Sequence, residues 1–434
     1  MPRTHRPSIV AAPVAVAASA ILLVGCTGEL QGPGADGSWY GADQPYAGQL
    51  EIEGFALSDP LTQARHDRAV EALGTAVTVT VGASAIDARS FASAAEAGDA
   101  PDLIYANRAD IGYLAARGAV MPLERCIEEA PINLTQYSAA ALAQVTLDER
   151  IFALPDTSTV PLLVTTDGAP DTARGGALVA SAGADPRDWR VMQLWAAAEG
   201  VPLVTPDGRT ANLDDPRIAA ALDAWDESSG DTTLVDSTAL PVGGSASDDE
   251  ASDEPQLSSV SDAAGEPVAV LSGYGWAIPV AGANPANACG YVRAVTESQT
   301  WIDAATVPDA DADADADADA ATEGSDEAHA LSVAALLTAN ATADAELRDW
   351  VSGADDPRAT TLRDTVDEAY AAAVAPTVTP ADVSLSRIWR DAVSAVQSGE
   401  VSADEALAEA QLEAQNALDR GWANLADALN SRSR

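Results

Sequence analysis

The run Val77-Thr78-Val79-Thr80-Val81 alternates valine with threonine, all β-branched, and so places its valines on one face of an extended strand. Upstream, residues 49–55 read as a first strand and residues 60–73 as a helix. Downstream, a helix near residues 90–97 leads into Asp102-Leu103-Ile104-Tyr105, a short apolar strand. This β-α-β-α-β alternation predicts an α/β fold built on an open, mostly parallel sheet. Ligands of such sheets sit beyond the carboxyl ends of the strands, which points to residues 56–59 and 106–110.

The helical pattern returns in Asp110-Ile111-Gly112-Tyr113-Leu114-Ala115-Ala116-Arg117-Gly118, with Gly118 placed to cap it. A new region begins after Leu154-Pro155. Residues 188–200 and 215–225 have helical periodicity, the second opening on Asp214-Asp215-Pro216, and Pro206-Asp207-Gly208 is a turn between them. The last quarter is helical throughout, over residues 331–351, 358–373, 385–396 and 403–429. Two low-complexity segments interrupt the pattern. Residues 243–255 are expected to form a mobile acidic loop, and the sixfold Asp-Ala repeat at 309–320 lies in a solvated insertion over 309–328. Calcium binding by the repeat is the alternative, but it lacks a turn-forming glycine.

At the amino terminus, Arg3 and Arg6 precede an apolar run from Ile9 to Val24, which reads as a cleaved secretory signal over residues 1–25. The sixteen apolar residues fall short of the roughly 20 that a membrane span needs. Leu23-Val24-Gly25-Cys26 resembles a bacterial lipobox, which implies lipidation at Cys26 and a lipid anchor at the membrane. Residues 26–47 are glycine-rich and aperiodic, as a flexible tether is. Once Cys26 is lipidated, Cys126 and Cys289 remain as an even pair outside the cytoplasm. A disulfide is the default expectation, with two buried thiols as the alternative.

Composition narrows the function. The formal net charge is −44, and loss of Arg3 and Arg6 takes the mature chain to −46, which makes nucleic acid a poor partner. The chain has no lysine, so Schiff-base and phosphate-loop chemistry are excluded. His66 and His329, the histidines left after cleavage, are expected to be solvated surface residues. No G-x-S-x-G turn occurs. A hydrolase would have to rely on carboxylate pairs, and no motif supports one. No cofactor or metal is expected.

Five further elements, in order, resemble extracellular solute-binding proteins of ABC importers, specifically the maltose- and oligosaccharide-binding class. They are Ala97-Gly98-Asp99-Ala100-Pro101-Asp102-Leu103, the run from Leu114 through Gly118 to Leu123, and Ile151-Phe152-Ala153-Leu154-Pro155. The return segment Gly273-Tyr274-Gly275-Trp276-Ala277-Ile278-Pro279 with Asn284-Pro285 is the fourth, and Ser398-Gly399-Glu400 with Asp404-Glu405-Ala406-Leu407 the fifth. The resemblance implies a two-lobed periplasmic-binding-protein-like fold of type II with a helical C-terminal region. Residues 48–155 and 275–350 would form the first lobe, and residues 156–274 and 351–434 the second. It also implies a monomeric receptor on the outer face of the membrane that delivers a solute, in this class a sugar, to permease subunits.

Sugar sites combine aromatic platforms with hydrogen-bonding carboxylates, hydroxyls and amides. Tyr274 and Trp276, between glycines at the return crossover, are candidate platforms, with hinge packing as the alternative. Trp195 and Trp389 lie on helices that face the cleft in relatives, and Ser386 is one turn before Trp389. Asn107 and Asp110 after the third strand, and Asp156 and Thr157 after the first crossover, are the polar candidates, each also readable as a cap or turn residue. Trp225 reads as core, and Arg363 as paired with carboxylates. Rival readings are a receptor for a non-sugar solute and an envelope interaction or sensor protein that keeps the fold without transport.

Overall fold

The computed structural model describes residues 46–165, 174–225, 232–240, 256–306, 329–354 and 356–432. The signal and lipobox, the acidic loop and the Asp-Ala insertion lie outside the described residues.

Strand β1 (Gly48–Glu53), helix α1 (Pro60–Leu73), strand β2 (Val77–Gly82), helix α2 (Ala88–Glu96), strand β3 (Leu103–Asn107) and helix α3 (Arg108–Ala116) follow one another as the alternation predicts. Each helix starts on a side-chain cap: Asp59 accepts from the Thr62 amide, Asp87 from that of Ser90 and Asn107 from that of Ala109. Further on come the hairpin β4 (Thr146–Leu147) and β5 (Arg150–Ile151), then β6 (Leu154–Thr159), β7 (Pro161–Thr165), β8 (Thr232–Asp236), β9 (Gln256–Ser259), β10 (Ala269–Val270), β11 (Ser272–Ala277), β12 (Leu337–Thr338) and β13 (Ala373–Val374).

The main sheet has the order β12-β6-β11-β3-β1-β2. Its parallel pairings are β1 with β2 and β1 with β3; β11 is antiparallel to both β3 and β6, and β12 is antiparallel to β6. The sheet is therefore mixed rather than mostly parallel. The reason is that β6 leaves this body and β11 re-enters it, and a chain that goes out and returns through neighbouring strands must run them in opposite senses. β3 is covered on both sides, so its successive residues feed different cores: Leu103 packs with Leu50, Ile52 and Val292, and Ile104 with Ile111, Leu114 and Phe152. Asp102 ties the return segment down, its carboxylate accepting the Glu51 and Asn284 amides. Cys126 and Cys289 are joined by a disulfide between the helices Glu124–Glu129 and Pro285–Val295.

The second body is a three-stranded antiparallel sheet, β8-β7-β9. The chain passes from the first sheet to the second at Val160, between β6 and β7. Helices Gly176–Ser181, Trp189–Glu199, Pro216–Ala224 and Asp382–Gln397 contribute Val179, Met192, Ile218 and Leu385 to a core with Leu163. Trp225 is half-buried against this core and donates to the Ala184 carbonyl. The terminal helix Ala403–Arg432 touches both bodies. Leu407 and Leu418 enter the second core, while Leu425 packs with Ile111 and Leu114 of the first. The helix expected over 331–351 is broken by β12, because Asn340 caps a fresh helix, Ala341–Gly353, through the Thr342 and Ala343 amides.

Candidate functional site

Strands β3, β6 and β11 end at the junction of the two bodies, and two cavities open there. The smaller, about 690 Å³, is walled by α3 on one side and by the Trp189–Glu199 and Asp382–Gln397 helices on the other. The larger, about 1130 Å³, lies over the ends of β1 and β3 and the start of α1. Asn107 and Asp110 line both. The carboxyl ends of the first and third strands thus face open space, as the alternation requires.

Five of the predicted site residues meet here. Asn107, Asp110 and Ser386 line the smaller cavity, and Thr157 and Tyr274 the larger. Tyr274 is 41% exposed and stacks on Tyr105, with ring centroids 5.2 Å apart and 15° between planes. The Tyr105 hydroxyl is hydrogen-bonded to Thr157 Oγ1 at 3.0 Å, which fixes the lower ring of the pair. This is a flat aromatic face held rigidly at a cavity wall.

The other four are structural. Trp276 is wholly buried against Phe55, Tyr105 and Tyr291, because it sits two residues farther along β11 than Tyr274, under the core rather than at its edge. Trp389 points into the second core beside Trp189 and donates to the Pro186 carbonyl at 2.7 Å. Trp195 is buried in the same core under Gly176. Asp156 is buried in an ion pair with Arg65 at 2.5 Å, and the Arg65 guanidinium lies over the Trp301 ring. Both histidines also differ from expectation. His66 is half-buried and hydrogen-bonded to the Tyr291 hydroxyl, and His329 contacts the Ala305 carbonyl, because α1 and the segment before β12 turn these faces inward. Burial holds the His66 imidazole below its usual pKa. Arg363 pairs with Asp344 and Asp367 as expected.

Sequence reasoning passed over Arg108 and Gln144, which line the floor of the smaller cavity. Arg108 Nη2 donates to the Ser272 carbonyl and to Ser158 Oγ; Nε and Nη1 have no partner. The side chain runs beneath Gly273, where φ is 148° and a Cβ would lie 2.1 Å from the Thr157 oxygen and 2.6 Å from Nη2, so only glycine fits. Gln144 Nε2 donates to the Leu271 carbonyl at 2.7 Å, and its Oε1 has no partner. Arg108 was findable: it lies within residues 106–110, which the strand alternation had already marked. Across the cavity, Asp382 holds Thr379 through its amide and hydroxyl. Burial raises the Asp382 carboxyl to about 7, against these hydrogen bonds, and raises Asp110 to about 6 with help from the Asp87 charge. No group of three or more metal-ligating side chains is assembled among the described residues. Nor is any described helix long and apolar enough to cross a membrane.

Two bodies joined by strands that leave and return, with a cleft between them, define the two-lobed periplasmic-binding-protein-like fold. Solved structures of solute-binding proteins of ABC transporters, in the class that includes the maltose-binding proteins, share it. One is such a protein from Thermotoga lettingae bound with α-D-tagatose, at 17% identity and a TM-score of 0.62 over 86% of this chain and 100% of that one. Another is the maltose/maltodextrin-binding domain of Bdellovibrio bacteriovorus bound to maltotriose, at 14%, 0.60, 85% and 99%. A third is UgpB of Mycobacterium tuberculosis in complex with glycerophosphocholine, at 15%, 0.56, 86% and 99%. These likenesses establish the fold. No family model and no curated protein sequence matches the chain.

Proposed function

We propose that this chain is the extracytoplasmic receptor of an ABC importer, which captures a carbohydrate between its lobes and delivers it to permease subunits. Cys26 carries the lipid that holds it, as a monomer, at the outer face of the membrane. The observation that carries this reading is the exposed Tyr274 ring, stacked on Tyr105 at the cleft wall. An aromatic face of this kind stacks on the apolar face of a sugar ring, while Asn107, Asp110 and Thr157 beside it can bond hydroxyls.

The test is thermal unfolding of the chain from Thr27 onward, which contains every described element, across mono- and oligosaccharides, amino acids and polyamines. A ligand at about 100 times its dissociation constant stabilises the fold by about 2.7 kcal/mol. Sugars are expected to raise the unfolding midpoint, and Tyr274→Ala to reduce that shift, measured from the variant's own unliganded midpoint. Cooperative unfolding that no compound shifts would instead favour an interaction or sensor protein.

A further inference from the structure

Given the reading of the cleft as a solute site, on which this rests, we infer that its solute is acidic: a sugar derivative bearing a carboxylate or phosphate next to a hydroxyl, with Arg108 and Gln144 holding that group. Three arginines are fully buried among the described residues. Arg65 meets Asp156, and Arg363 meets Asp344 and Asp367. Arg108 makes no ion pair among the described residues, although the chain has 67 acidic residues for 23 basic ones. The carboxylate whose charge acts on it, that of Asp156, is already paired with Arg65; a buried cation without a partner of its own is costly, and an anionic solute would supply one.

The bonding capacity of the floor agrees. Nε and Nη1 of Arg108 leave three N–H donors unused, and Gln144 Oε1 leaves an acceptor unused. Their other atoms are anchored on adjacent carbonyls, Ser272 for Arg108 and Leu271 for Gln144, and both side chains contribute to the cavity lining. Donors in excess suit an anionic oxygen cluster, and the acceptor suits a neighbouring hydroxyl. Arg89 and Arg390 line the same cavity and form no ion pair among the described residues, although Asp87, Asp185, Asp188 and Asp236 line it too, the Asp87 charge beside Arg89 and the Asp185 charge beside Arg390. Burial keeps Asp382 partly protonated near neutrality, which lowers the repulsion such a solute meets from that side chain.

Titration calorimetry on the chain from Thr27 onward would use D-galacturonate and D-glucuronate, D-glucose 6-phosphate, and neutral D-galactose and D-glucose. At least one acid should bind about tenfold or more tightly than its neutral parent, the scale of a lost charge-assisted hydrogen bond. Whether uronates or the phosphate bind identifies the acidic group. Arg108→Gln should abolish the preference. Should that variant fail to fold, Gln144→Glu sets a carboxylate on the same floor and should weaken the acid about tenfold while sparing the neutral sugar. Neutral sugars binding as tightly as their acids, or a preference that survives these substitutions, would overturn the inference and leave the receptor reading standing. Binding of no compound would overturn both.

Discussion

Tyr274 and Trp276 share one face of β11, yet one is a platform at a cavity wall and the other is core. About 7 Å of strand separates the two environments. Composition and spacing place both rings on the right segment, but burial depends on how Phe55, Tyr105 and Tyr291 close over that segment, which is long-range packing. The same holds for Trp195 and Trp389, whose helices face the cleft while their indoles face away from it. Asn107, Asp110 and Thr157 were legible because strand ends expose polar residues whatever the packing. The Arg65–Asp156 pair was not legible, since its members are distant in sequence and α1 is otherwise polar. Removal of one partner strands a buried charge, so Asp156→Ala should cost about 3–5 kcal/mol, read from denaturant unfolding. Asp382 gives a pH prediction. Its folded pKa, about 7, lies above the ordinary carboxylate value, so the folded state holds a proton that the unfolded state releases, and stability falls as pH rises from about 4 to about 7. Asp382→Asn should flatten that fall, so that the midpoint drops less between pH 5 and pH 8 than in the parent.

At the scale of elements, periodicity locates several helices to within about two residues, and Asp59, Asp87, Asp188 and Asp215 cap four of them, whereas the helices Glu124–Glu129, Gly176–Ser181, Pro285–Val295 and Ser298–Thr306 went unread. The strand β12 escaped, since two residues between helical runs carry no period of their own and are held only by pairing with β6. Strand direction escaped too: local pattern is the same for a parallel and an antiparallel neighbour. The helix Ala403–Arg432 is read easily as a helix, but its role as a strap is tertiary. Gln411 and Gln415 bond the backbone at Ala211 and Leu213, and Trp422 the Gly208 carbonyl. The Cys126–Cys289 bridge spans 163 residues and clamps two helices of the first body. Its replacement by serines should lower stability by about 2–5 kcal/mol, with no loss of solute affinity, because neither cysteine lines a cavity.

For the whole molecule, the two bodies are joined at Val160 and near Leu271 and share a core in which Leu162 of β7 packs with Leu337 of β12; on the proposed reading, solute contact in the cleft is coupled to lobe closure. The sequence motifs pointed to this architecture, but the partition of polar groups inside the cleft emerges only when both walls are assembled, which is why Gln144 went unread; Arg108 lay within the marked residues 106–110, and only its burial without an ion pair was hidden. Solute held between lobes must slow exchange on both walls. Hydrogen–deuterium exchange, with the compound that most stabilises the chain from Thr27 onward, therefore tests the central claim most directly. Protection is predicted together at residues 105–110 and 272–274 of the first wall and at 185–193 of the second. Protection confined to one lobe, or lying away from these segments, would contradict it.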